Sequence, residues 1–179
     1  FGTAVAKSSW AIPLLLGPTY AILGGVGPRV LRRLTGTRQV MEPLVGGGVG
    51  AGLRAAIAVG STVVVVKLSE VLVSAGLPSG VSLALLMLIA AIQWAALDGE
   101  LVTLTLGLTL AVFGPIAEIP FMASLHLWHY VAPDYWPLAF TGLGQGTLGG
   151  LSMITGPCYF AVTTDAVALG KCFGIRGDD

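Results

Sequence analysis

From Leu101 to Leu127 the chain reads LVTLTLGLTLAVFGPIAEIPFMASLHL. The run is longer than the roughly 20 apolar residues a helix needs to cross hydrocarbon. One carboxylate, Glu118, interrupts it between Pro115 and Pro120. Each proline removes a backbone donor and crowds the preceding turn, so the helix is expected to bend around Glu118 and to free carbonyls for neighbouring helices or water. An ionisable group at such depth is costly and by default faces a bundle interior, toward a partner or a wet cavity. Two roles stay open for Glu118 at this point: locking helices together, protonated or paired with a cation, and facing a ligand.

Composition extends this reading to the whole chain. Of 179 residues 55% are hydrophobic and 10% charged, with mean hydropathy +0.88. A water-soluble domain would expose large apolar patches with such values. The expected class is an all-α integral membrane protein, a polytopic bundle with spans at about 9–27, 46–68, 81–97, 101–127 and 136–160. The net charge of zero carries no information about partners, because orientation depends on where Lys and Arg sit. Cys158 and Cys172 have no metal-type spacing, and neither a disulfide nor a zinc site follows from them.

The first span, just after Lys7, opens with Trp10 and contains Pro13 and Pro18. The segment after it carries Arg29, Arg32, Arg33 and Arg38 against one acid, Glu42. A short loop this rich in arginine stays on the cytoplasmic or equivalent side and attracts anionic lipid at about 1 kcal/mol per charge near the surface. The second span begins GGGVGAGL, contains Arg54 and closes with Lys67; the third ends in Gln93 and Trp94 before the acidic turn Asp98-Gly99-Glu100. The fifth, from Trp136, carries Gly142, Gly146 and Gly150 at a small-xxx-small interval, a packing surface for another helix or a flat ligand. Lys171 and Arg176 fall in an inner tail. Five spans put the first residue outside, which leads one to expect an upstream sixth helix. At about 1.5 Å rise per residue, Arg54 lies roughly 12 Å, Glu118 roughly 25 Å and Lys67 roughly 31 Å from the inner edge. Lys67 is therefore the expected cation for Glu118, and Arg54 is expected to reach Asp98, Glu100 or a lipid headgroup.

The segment SSWAIPLLLGPTYAILGGVGPRVLRRL resembles the second span of the insulin-induced gene (Insig) family of membrane proteins, in its paired serines, its Trp and Pro, and the interval from Gly17 to Pro28. Similar matches in order are Arg54 early and Lys67 late in the next span, Trp94 followed by Asp98, the exit Pro133-Asp134-Tyr135, and a glycine-rich last span. The resemblance covers most of the chain and lacks the family's first span. It implies a non-enzymatic bundle of six helices in the endoplasmic reticulum that binds a lipid (an oxysterol in animal members, diacylglycerol in a bacterial relative) and grips other integral membrane proteins. Asp98 falls on the family's partner-binding aspartate. Glu118 falls where animal members carry a glutamine, and the tail GKCFGIRGDD lacks a basic retrieval pattern, so another membrane stays open. The expected lipid site comprises Glu118, Trp94, Pro115, Gly142 and Gly146, the partner site Asp98 and Gly150, and the anionic-lipid surface Arg29, Arg32 and Arg33.

The alternative is a small subunit of a photosynthetic or respiratory complex, in a thylakoid or other organellar membrane, contacting chlorophyll or carotenoid. Under it His126 and His129 offer imidazoles to a metal or pigment. Catalysis is not expected, since Glu118 and His129 stand more than three helical turns apart. No phosphate loop or basic groove with interleaved aromatics supports nucleotide or nucleic-acid binding.

Overall fold

The computed structural model describes residues 17–36, 43, 45, 50–126, 128–130, 132–141 and 149–173. The expectations placed on Lys7, Trp10, Pro13, Arg38, Glu42, Gly142, Gly146 and Arg176 lie outside them.

A helical run over residues 17–35 comes first. It includes a π-helical turn, Ile22–Val26, and continues as α1 (Gly27–Thr35). Pro28 falls in the first turn of α1, where a missing N–H costs no bond. Gly36 stops the helix in the left-handed conformation (φ 59°), its N–H returning to Arg32 O at 2.9 Å. The arginine segment, expected as a loop, is thus largely helix, and Arg29, Arg32 and Arg33 ride on α1. Three long helices follow: α2 (Ala51–Ser74), α3 (Ser79–Leu97) and α4 (Leu101–Leu125). A single turn of 3-10 helix, Ala139–Thr141, and a β-bridge between Tyr135 and Leu151 precede the last helix, α5 (Thr155–Cys172). Helix predominates and the described residues include no strand.

By length and composition, α2, α3 and α4 are each able to cross a membrane. Their outward faces are largely apolar, and a few polar side chains are turned inward among the apolar core. Val63, Val64, Leu88, Ile92, Val112 and Phe113 face outward, whereas Thr62, Ser82, Gln93 and Thr103 are buried. Apolar outward faces with hydrogen-bonding groups packed inside are compatible with hydrocarbon surroundings.

The centre of the bundle is α5, buried over most of its length and packed on α2, α3, α4 and the π-helical turn. Small residues permit this. A Cβ on Gly170 would sit 2.1 Å from Gly24 O, and one on Gly24 would sit 2.3 Å from Ala166 O, so two backbones touch where the first helical run crosses α5. Gly107 likewise gives way to the Phe160 ring. Pro115 has no N–H for Ala111 O, and that carbonyl lies against Gly156, where a Cβ would come within 2.8 Å of it. The proline's freed carbonyl therefore marks where α5 meets the flank of α4. Around this axis Val65, Leu72, Leu86, Ala90, Ile154, Phe160 and Ala161 form the main apolar cluster.

The helix found in place of a span over 136–160 begins at Thr155 and runs to Cys172, through residues expected to form a tail. Pro157 explains the difference. It lies in the first turn of α5, where proline fits, while it would break a hydrogen bond in the interior of a longer helix. The second span is displaced in the same direction, running from Ala51 to Ser74 instead of 46–68.

Candidate functional site

Polar side chains collect at three levels of the bundle. Farthest from the acidic turn, Glu118 is half-buried on α4 and accepts three hydrogen bonds. Trp128 Nε1 (3.2 Å) and Tyr130 Oη (2.7 Å) donate to its Oε2, and Tyr159 Oη donates to Oε1. Two donors belong to the segment that turns back after α4; the third comes from α5. Tyr159 reaches Glu118 because its ring lies over Gly114, one turn away, where a Cβ would be 2.5 Å from the ring. Trp128 stacks on Phe121 with centroids 6.4 Å apart and planes at 14°. Burial, followed by the Glu118 charge, raises the Tyr130 phenol far above its ordinary range and keeps it an O–H donor. Ile119, Met122 and Leu151 close this level from within.

The expected cation is elsewhere. Lys67 is exposed and pairs with Glu70 at 2.8 Å. Val65 on the same helix is fully buried, and two residues of helix rotate a side chain by about 200°, which turns Lys67 outward whatever its depth. Trp94 also leaves the expected lipid set. Its Nε1 donates to Glu100 O (3.0 Å), and 18 residues of helix at about 1.5 Å each put that level roughly 27 Å from Glu118. Pro115 is buried less than one turn below Glu118. Gly150 packs against Pro133 and the Trp136 indole in the returning segment, so it is not part of a helix face. His126 is exposed and ends α4 in the left-handed region (φ 50°), and His129 is half-buried.

At the opposite end, Asp98 and Glu100 meet cations from two helices. Lys171 Nζ, in the last turn of α5, donates to Asp98 Oδ1 and to Glu100 Oε1 (2.7 Å). Arg32 of α1 bonds Glu100 Oε2 (2.5 Å), and Glu100 N–H donates to Asp98 Oδ2 (3.3 Å). Gly99 adopts φ 66°, which makes this tight turn possible. Burial pushes the Glu100 carboxyl up, but the contacts and charges of Lys171 and Arg32 outweigh it and hold the group below its usual range. Asp98 is 1% exposed, with both oxygens engaged inside the chain. Arg54 reaches neither acid: its Nη2 donates to Leu97 O, a carbonyl left open by the end of α3. Arg29 and Arg33 are exposed, beside exposed Val30 and Leu34.

Between these levels lie Tyr20, Thr62, Gln93 and Asp165. Sequence reasoning missed Asp165 and Lys171 as site residues because it ended the last span near residue 160, and Tyr159 because its partner, Glu118, lies on another helix. The signal was present in Pro157 and in the apolar frame around Thr163-Thr164-Asp165. Comparison of the chain with protein-family models, curated proteins and solved structures gives no match.

Proposed function

We propose that the chain is a multi-pass membrane protein of the Insig kind, which holds a lipid bearing a free hydroxyl, a sterol or a diacylglycerol, against Glu118. The observation that carries the reading is Glu118 itself, half-buried on an apolar helix and surrounded by three aromatic donors with no cation among the described residues that contact it. A carboxylate offers about four acceptor positions, so three donors leave one for a hydroxyl. Trp128, Tyr130 and Phe121 add the flat apolar surface on which rings or acyl chains pack, at the level where aromatic side chains gather in membrane proteins. Association with other membrane proteins follows from the Insig resemblance. Since Asp98 is enclosed, the partner surface at that end is the exposed basic face of α1, with Arg29 and Arg33, which also suits anionic headgroups. Residence in the endoplasmic reticulum rests on the same resemblance.

The test is photolabelling of the purified chain with a diazirine sterol and a diazirine diacylglycerol. The reading expects label on peptides containing Glu118, Trp128 or Tyr159, competed by the unlabelled lipid. Uniform labelling along the outer faces of α2 and α3 contradicts it.

A further inference from the structure

The outward face of α2 carries charge where its surroundings are apolar. Lys67 and Glu70 pair at 2.8 Å with 72% and 41% of their side chains exposed, and Val63, Val64, Val66 and Val71 stand exposed on either side of them. Their depth follows from the contact between α2 and α3, which a short turn joins and which therefore run in opposite directions. Gln93 meets Ser61 and Thr62, so Lys67 stands level with about Leu88 and Glu70 with about Leu85, both exposed leucines of α3. At about 1.5 Å per residue from Ser79, where α3 starts, Lys67 lies roughly 13 Å along the apolar span. Charged side chains at such depth nearly always face protein or a wet cavity. The bond between Lys67 and Glu70 uses one of three ammonium donors and one of about four carboxylate acceptor positions, which leaves most of both groups to whatever covers this face.

The layout of the face says what covers it. At about 100° per residue, the exposed Ala56, Val63 and Ser74 fall close to one line along α2. Lys67 falls about 30° to one side of that line and Glu70 about 30° to the other. Copies of one membrane protein share an orientation, so a two-fold axis relating two of them runs along the membrane normal and sets their α2 helices parallel. That rotation brings Lys67 of one copy across from Glu70 of the other, and the converse, whereas charges on the line itself would meet their own kind. The rise of about 4.5 Å between the two residues is one that Lys67 already spans within its own chain. Toward the inner side Gly52 and Ala56 keep the face low, and a Cβ on Gly52 would meet nothing within 4 Å in its own chain, which allows close approach of a second helix.

We propose that this face of α2 is the contact between two copies of the chain, with Lys67 of each paired to Glu70 of the other. The two cross-pairs and the two pairs within each chain make a ring of four alternating charges, which turns every ion toward an opposite charge and away from acyl chains. An unrelated helix would need an anion and a cation at matching levels, and a second copy supplies both by symmetry. The inference rests on the chain spanning a membrane and is independent of the lipid at Glu118.

Energy transfer between donor- and acceptor-labelled full chains in phosphatidylcholine vesicles, read over a range of protein-to-lipid ratios, tests it. Wild type is expected to associate. Lys67→Glu and Glu70→Lys each set like charges face to face and are expected to weaken self-association by at least about tenfold. An equimolar mixture of the two variants restores both cross-pairs and is expected to associate as wild type does, a result that pairing within a chain does not give. A monomeric wild type, variants that associate as strongly as wild type, or a mixture that stays monomeric overturns the proposal. If either variant fails to fold, oxidative cross-linking of Val63→Cys is read instead, in a chain with Cys158 and Cys172 replaced by alanine. A disulfide-linked dimer is expected at Val63→Cys and none at Val64→Cys, about 100° around the helix. Equal cross-linking at both positions, or none at Val63→Cys, overturns it.

Discussion

Glu118 illustrates how far single residues reveal themselves. Its isolation in an apolar run was legible, because no neighbour in sequence could compensate it. Its donors were not, because Trp128 and Tyr130 lie in a segment that folds back and Tyr159 belongs to another helix. A depth estimate ranks cations along the bundle axis but ignores which way a side chain faces, and facing excluded Lys67. Tyr159→Phe removes one donor to a charged acceptor and is expected to cost about 1.5–3 kcal/mol, measured by unfolding in detergent. Gly114→Ala drives a Cβ into the Tyr159 ring and should displace the same hydrogen bond, costing about 1–3 kcal/mol. If both variants are as stable as wild type, Tyr159 does not hold Glu118.

Among the elements, α2, α3 and α4 were readable from length and apolar content, with one end misplaced by two residues at α3 and at α4 and both ends by five or six at α2. The last helix was misread because glycine spacing was taken as a packing face and Pro157 was passed over as a start signal. The glycines that set the packing, Gly24, Gly107, Gly156 and Gly170, each meet a particular neighbour across the fold, and no local pattern distinguishes them from idle ones. Gly60 shows the contrast, with nothing within 4 Å of an added Cβ. Gly170→Ala meets the Gly24 backbone, which cannot swing aside as a side chain does, and should separate the first helical run from α5. It is expected to lose substantially more stability than Gly60→Ala, which should gain about 0.5–1 kcal/mol from helix preference. Comparing the two by denaturation decides the point; equal effects would mean that the Gly24–Gly170 crossing contributes nothing.

For the molecule as a whole, one end is closed by ionic contacts and the other by aromatic ones, with an apolar exterior between them. The closed end predicts a pH response with a definite sign. Glu100 has a folded value below its ordinary 4.5, so its contribution is fully present above that pH and disappears as acid carries the solution down through the lower folded value. Stability should therefore fall below about pH 4.5, and the fall should be smaller in Glu100→Gln. Lys171→Met leaves Asp98 buried without its cation and is expected to cost about 3–5 kcal/mol; unfolding with an unaltered midpoint would show that Asp98 is compensated in another way.

The most direct measurement is native mass spectrometry of the chain released from gentle detergent, for wild type and for Glu118→Leu. Retention of a sterol or diacylglycerol mass by wild type and its loss in the variant is the predicted result. Bulk phospholipid alone on wild type, or the same hydroxyl lipid retained equally by both proteins, would contradict a lipid site at Glu118.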